Sequence, residues 1–294
     1  MRPEVLADCA RQALARLESC KICPRHCGVN RLQDEHGFCR SGRKARVAGF
    51  SPHFGEEMPL VGCGGSGTIF FCGCSLACVF CQNYDTSQED RGEEVTPEIL
   101  ARMMLRLQDC GCHNINFVTP THVIPQILEA LVLARGKGLN VPLVYNSGGY
   151  DSVETLRLID GIFDIYMPDA KFGSNDAAFR YSLDPDYVDI MKAAIREMHR
   201  QVGDLEMGEE GIARRGLLVR HLVLPEGAAG TAEVVRFLSQ EVSGNTLPEH
   251  HGSVQARIKS LPLSRPRQRI TLKEYSDAMD LAVRAGLVRG LEIF

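Results

Sequence analysis

The stretch Thr68-Ile-Phe-Phe-Cys72-Gly-Cys74-Ser-Leu-Ala-Cys78-Val-Phe-Cys81 sets a short apolar run directly against three cysteines spaced four and three residues apart. Thr68 to Phe71 is β-branched and aromatic, and reads as a strand. Its continuation is a loop in which three thiolates can point at one centre, and cysteine thiolates are the ligands of iron–sulfur clusters. Three ligands for four irons leave one iron open, and an open position separates a reactive metal site from a closed structural one. A zinc knuckle that takes Cys72 as fourth ligand is the alternative.

Outward from this loop, strand and helix signals alternate. Thr96 and Pro97 form an N-cap and first-turn pair, followed by Leu100, Met103, Met104 and Leu107 at core-facing helical spacing. Ile115 to Val118 reads as the next strand, and Ile124, Ile127, Leu128 and Leu131 as a helix ending near Gly136 and Gly138. Val141 to Tyr145 and Ile162 to Met167 are further strands, separated by a short helix that Asp151 and Glu154 begin. Val188, Met191, Ile195, Met198 and Val202 mark one helix face before the strongest strand, Leu217 to Leu224. A helix over residues 229–241 follows, and the last opens with the capping box Thr271-Leu-Lys-Glu274. Five strands separated by helices predict a parallel α/β sheet, whose chemistry gathers at the carboxyl ends of its strands.

Twelve cysteines in 294 residues fall mostly in two groups, and the amino-terminal one is Cys20, Cys23, Cys27 and Cys39. Four thiolates suffice for closed Zn(Cys)4 or for an iron–sulfur cluster, so a second, structural metal centre is expected there. His26 or His36 in place of one cysteine, or four separate reduced thiols, are the alternatives. The first twenty residues carry Arg2, Glu4, Asp8, Arg11, Arg16 and Glu18, unlike a secretory signal, so a reducing cytoplasmic location is expected. A net charge of −4 with interleaved signs offers no footprint for nucleic acid or an anionic membrane. The organisation expected is a Cys-rich extension over residues 1–60 and a core domain over 61–294.

The Cys-x-x-x-Cys-x-x-Cys spacing with Phe80 before the last cysteine resembles the signature of the radical S-adenosylmethionine (SAM) superfamily. The longer string from Gly67 to Asn83 resembles its pyruvate formate-lyase activating enzyme-like branch. So do Cys-Pro-Arg-His-Cys-Gly-Val-Asn-Arg (23–31), His-Phe-Gly-Glu-Glu (53–57) and Arg-His-Leu-Val-Leu-Pro (220–225). The resemblance implies a partial (β/α)6 barrel, a 4Fe-4S cluster on Cys74, Cys78 and Cys81, and SAM cleaved by the reduced cluster to a 5′-deoxyadenosyl radical. It also implies an electron donor such as flavodoxin or ferredoxin, and a glycyl radical enzyme as protein substrate. Another small-molecule or protein substrate is the second reading, and a non-catalytic zinc-binding interaction protein is a third from a different class.

By the same resemblance, Phe80 packs near the adenine of SAM, and Asn146 with Gly148 contacts its ribose and methionine. Asp169 and Lys171 match an Asp-x-Lys that contacts the methionyl part. Where relatives carry Gly-Gly-Glu after the second strand, this chain has Val118-Thr119-Pro120-Thr121-His122, so Thr119 and Thr121 are the candidates to receive the SAM ammonium. Without the resemblance, residues 146–149 are equally a tight turn capped by Asp151, His122 a helix start, and Asp169 with Lys171 a solvated loop. Arg220 and His221, both candidates for cofactor binding, are consecutive in a strand and face opposite sides, so one enters the barrel, where SAM or substrate supplies its partner, while the other meets the helix layer or is satisfied in the core.

Residues 246–269 depart from the family. Leu247-Pro-Glu-His-His-Gly-Ser-Val-Gln-Ala256 is a poor strand. Yet one choice of codons for it, read one base later, encodes Tyr-Leu-Asn-Ile-Met-Ala-Gln-Tyr-Arg, the family's missing strand. A pair of compensating frameshifts, with an unpaired barrel edge here, is the expectation.

Overall fold

The computed structural model describes residues 2–89, 91–244, 247–251 and 270–287. Its strands are β1 (Ala45–His53), β2 (Ser66–Phe71), β3 (Glu93–Val95), β4 (Ile115–Val118), β5 (Leu143–Ser147), β6 (Ile165–Pro168), β7 (Glu206–Met207), β8 (Ala213–Leu222) and β9 (Leu247–His251). The α-helices are α1 (Pro3–Ala15), α2 (Met58–Val61), α3 (Tyr84–Ser87), α4 (Pro97–Asp109), α5 (Ile124–Gly136), α6 (Val153–Leu158), α7 (Asn175–Ser182), α8 (Tyr187–Val202), α9 (Thr231–Phe237) and α10 (Leu272–Arg284).

Six strands run parallel in the order β2-β4-β5-β6-β8-β9, each crossover between the longer ones carrying at least one helix. This is the mixed α/β architecture of a partial barrel. β1 adds antiparallel to β2, so residues 45–53 of the cysteine-rich extension continue the same sheet. α1 lies on α5, burying Leu6, Ala10 and Ala13.

Alternation along each strand separates two environments. Ile115, Phe117, Tyr145, Tyr166, Leu217 and Val219 face the helix layer, whereas Val144, Ile165, Met167 and Leu218 face the barrel interior and pack with Leu60 of α2. Each large side chain fully buried this way contributes about 1.5–3 kcal/mol. α4 forms where its cap requires: Thr96 accepts a hydrogen bond from the Ile99 N–H, Pro97 opens the helix, and Leu100, Met104 and Leu107 are buried. All five expected apolar positions of α8 are buried. The helix expected over 229–241 is instead α9 followed by a wider π-type turn over Leu238–Val242.

The expected unpaired edge is corrected. Leu247–His251 pairs in parallel with Leu218–Leu222, in the place of a sixth barrel strand. Pairing is made by the backbone, and Pro248, which has no N–H to give, is tolerated because β9 has β8 as its only neighbour among the described residues. The strand thus forms in the frame as written; residues 252–269 lie outside the described residues.

Candidate active site at the carboxyl ends of the strands

After β2 the chain turns at Gly73, whose φ is 79° and whose missing Cβ would stand 2.3 Å from the Cys39 carbonyl oxygen. Only glycine permits that turn and that approach. In the loop that follows, the Leu76 N–H donates to Cys74 Sγ at 3.3 Å, and Cys81 Sγ lies 3.2 Å from Ser87 Oγ. Burial and then the neighbouring thiols push the Cys74 pKa up. Cys78 is pushed up to about 12 by burial, with Lys171 opposing and Cys81 adding. The three sulfurs therefore share one locale with an ammonium. Without a metal such thiols stay protonated, whereas a coordinating thiol is deprotonated outright.

A chain of polar contacts crosses the ends of β5, β6 and β8. Lys171 Nζ donates to Asp169 Oδ2, Asp169 Oδ1 accepts from Arg220 Nε at 2.8 Å, and Arg220 Nη2 donates to Asn146 Oδ1 at 2.7 Å. Arg220 Nη1 also faces Glu57 at 3.5 Å and Glu56 at 4.0 Å. Burial works against both cations, but Asp169 holds the Lys171 pKa above its ordinary value, as Asp169 and Glu57 do for Arg220. Gly148 lies between the cysteine loop and Lys171: a Cβ there would meet Leu76 at 3.1 Å and Lys171 at 3.6 Å. The Tyr187 hydroxyl, absent from the sequence-based candidates, is 2.9 Å from the carbonyls of both Gly148 and Asp169 and accepts the Lys171 N–H. It ties the loops after β5 and β6 together.

The remaining candidates divide between this site and its supports. Thr119 follows β4 with φ 60°, a conformation that β-branched residues rarely adopt, and its N–H donates to the Asn146 carbonyl. Thr121 is buried and donates to Asp151 at 2.7 Å. Asp151 does not cap α6, as its position suggested; Ser152 does, accepting from the Thr155 N–H. Asp151 instead accepts from the hydroxyls of Thr121, Tyr145 and Ser147, which restrain the pKa that burial raises. Arg220 is the inward member of its pair. His221 faces the helix layer, donating from Nδ1 to the Ala170 carbonyl and accepting at Nε2 from Thr231, and burial pushes its pKa down to about 4. His122 is buried ahead of α5 and donates from Nε2 to the Cys72 carbonyl. Phe80 packs edge-on against Phe172 at 5.8 Å.

The amino-terminal cysteines adjoin the same loop. Burial pushes Cys23 up to about 12, with Cys39, Cys20 and Cys27 adding to it and the Arg25 backbone N–H opposing. The Phe38 N–H donates to Cys27 Sγ, and Arg25 Nε donates to the Ser75 carbonyl within the Cys74–Cys81 loop.

A family model described as the Radical SAM superfamily matches residues 68–205, from β2 to just before β7. Uncharacterized protein MJ0674 of Methanocaldococcus jannaschii is 32% identical over 280 residues, covering 92% of this chain and 76% of that protein. The chain belongs to the radical SAM superfamily. A second protein of that organism, MJ0808, is 26% identical over 48% of this chain and 46% of its own length. Among solved structures, HydG, a maturase of the FeFe-hydrogenase, shares the fold with a TM-score of 0.50 and 12% identity, over 73% of this chain and 48% of that one. Native anSMEcpe with bound AdoMet gives 0.49 and 11%, over 72% and 57%. The chain thus spans about half the length of these solved relatives.

The donor set fits the superfamily's iron–sulfur cofactor. The three loop thiols are near enough to raise one another's pKa, and cysteine thiolates are the ligands that hold iron–sulfur clusters.

Proposed function

We propose that this protein is a radical SAM enzyme whose Cys74, Cys78 and Cys81 hold a 4Fe-4S cluster with one open iron. When bound, the cluster and SAM together supply a one-electron cleavage of the sulfonium that generates an adenosyl radical. The observation that carries the reading is the convergence of Lys171, Asp169, Asn146 and Arg220 beside the three thiols at the carboxyl ends of parallel strands. Lys171 is a point charge suited to the carboxylate of SAM's methionyl part, Asp169 fixes its ammonium, and Arg220 fixes Asp169. Gly148, lacking a side chain, lets backbone approach the ligand. Phe80 is proposed to stay near the adenine, and Thr119 to offer its hydroxyl to the SAM ammonium. His221, with both ring nitrogens engaged, acts on the site through the Ala170 carbonyl beside Asp169. An electron donor of the flavodoxin or ferredoxin kind and a cytoplasmic location belong to the same proposal. No helix among the described residues is long and apolar enough to cross a membrane.

The test is anaerobic reconstitution: the reduced protein should release 5′-deoxyadenosine and methionine from SAM, and Cys78→Ala should end that release. Undiminished turnover in the variant would sink the proposal.

A second metal–thiolate centre on Cys20, Cys23, Cys27 and Cys39 is proposed on a separate observation. Arg31 is 1% exposed and forms no ion pair with a carboxylate among the described residues; it donates to the carbonyls of Gly42 and His122 and approaches Cys20 Sγ at 3.8 Å. A buried charge requires a counter-charge, and four metal-bound thiolates supply it. Zinc and iron–sulfur both satisfy that requirement. For the substrate, the activating-enzyme motifs support a glycyl radical enzyme as the protein partner.

A further inference from the structure

Below Arg220 the barrel interior contains two polar groups that the SAM reading does not use. Asn116 lies on β4, in register between Thr68 of β2 and Val144 of β5. It is completely buried, and neither its Oδ1 nor its Nδ2 makes a hydrogen bond. Beside it is Glu56, whose carboxyl burial pushes above its ordinary pKa, with Arg220, His53 and the Asn116 amide opposing. The Glu56 side chain is 9% exposed, and Arg220 Nη1 stands 4.0 Å from it, at the limit of an ion pair. Glu56 arrives from outside the matched family region, on the segment that leads into α2, whose Leu60 closes the apolar part of the interior.

Each group is expensive to bury in this way. An unsatisfied buried amide carries its full desolvation penalty and a carboxylate a larger one, and native interiors hold few of either. Glu56 offers two oxygens and Asn116 its Oδ1, three acceptors against the single Asn116 amide nitrogen, so what is missing is a donor-rich partner, and the carboxylate selects a positive one. We propose that Glu56 and Asn116 form a subsite for a cationic N–H donor, a primary ammonium group carried by the substrate. The proposal rests on the radical SAM reading for the chemistry done to that substrate, but not for the recognition itself. Arg220 spans the two levels, engaging Asp169 at the cofactor end and facing Glu56 beneath, so an ammonium at Glu56 would compete for the carboxylate and leave the guanidinium with Asp169 and Asn146.

The probes are n-butylammonium and its neutral counterpart 1-butanol, titrated calorimetrically into the full-length reconstituted protein. The wild type should bind the ammonium at least tenfold more tightly than the alcohol. Glu56→Gln should abolish that preference, and Asn116→Asp should increase it. Glu94→Gln, which removes an exposed carboxylate paired with Lys44, should leave it intact. Cys78→Ala, which ends SAM cleavage, should still bind the ammonium as the wild type does, so failure of this subsite and failure of the SAM proposal are read separately. Equal affinity for the two probes, or a preference retained by a folded Glu56→Gln or unchanged by Asn116→Asp, overturns the assignment.

Discussion

Thr119→Gly should make this protein more stable, although it removes a side chain from the candidate active site. Thr119 follows β4 at φ 60°, where the Cβ of an L-residue crowds its own backbone, and β-branching worsens the clash. A residue held in such a region costs on the order of 1–3 kcal/mol. Glycine removes that strain but enlarges the unfolded ensemble, which returns about 0.4–1 kcal/mol. Thr119 is only partly buried, so little packing is lost. The balance is a gain of about 1 kcal/mol, equivalent to roughly 2 °C in Tm for a chain of this size. Urea denaturation of the anaerobic protein measures it, with Thr119→Val as the control that keeps the strain and should show no gain. If the hydroxyl also receives the SAM ammonium, SAM affinity should fall in Thr119→Gly while stability rises. A glycine variant less stable than the wild type by 1 kcal/mol or more, at unchanged denaturant dependence, would refute the strain argument.

The other predictions address the supports of the site. His221 is held neutral, with a folded pKa of about 4 against roughly 6.5 unfolded. Its contribution is complete above pH 6.5 and is lost as pH falls to about 4, a change of about 3 kcal/mol; denaturation of wild type and His221→Gln across that window should differ in slope, and identical slopes would exclude the assignment. Cys23→Ala should lower metal content and solubility before it alters the spectrum of the catalytic cluster. A soluble variant that keeps all its metal and still lacks activity would argue that the amino-terminal centre is not structural.

The parts of the fold legible in the sequence are those carried by a dense local signal. Ile115–Val118 is continuous in apolar and β-prone character apart from Asn116, and α8 repeats large apolar residues at helical spacing. α1 has two alanines among its three buried positions, and β1 is mostly exposed beyond Val47, so neither showed a pattern. β9 was misjudged for a different reason. Its residues are poor strand formers, but an edge position asks little of them once β8 offers a row of backbone partners. At the site, the cysteine loop was legible because its ligands are adjacent in sequence. Tyr187, the Asp151 hydroxyl network and Glu56 were not, because their roles exist only after distant segments meet: Glu57 and Arg220 are 163 residues apart. The string His53-Phe-Gly-Glu-Glu57 did contain a usable sign, two carboxylates next to the apolar Met58-Pro-Leu-Val61.

The two cysteine groups are also joined more closely than their separation in sequence suggests. Gly73 fits against the Cys39 carbonyl, Arg25 holds the Ser75 carbonyl, and Arg31 holds the His122 carbonyl while His122 holds that of Cys72. Each contact fixes backbone at or immediately before the loop that presents Cys74, Cys78 and Cys81. A loop free to flex would scatter three thiolates whose usefulness depends on convergence. The extension therefore has a physical function even before its metal is known: it stiffens the outer side of the cysteine loop, while Lys171, Tyr187 and Asp169 organise the inner side.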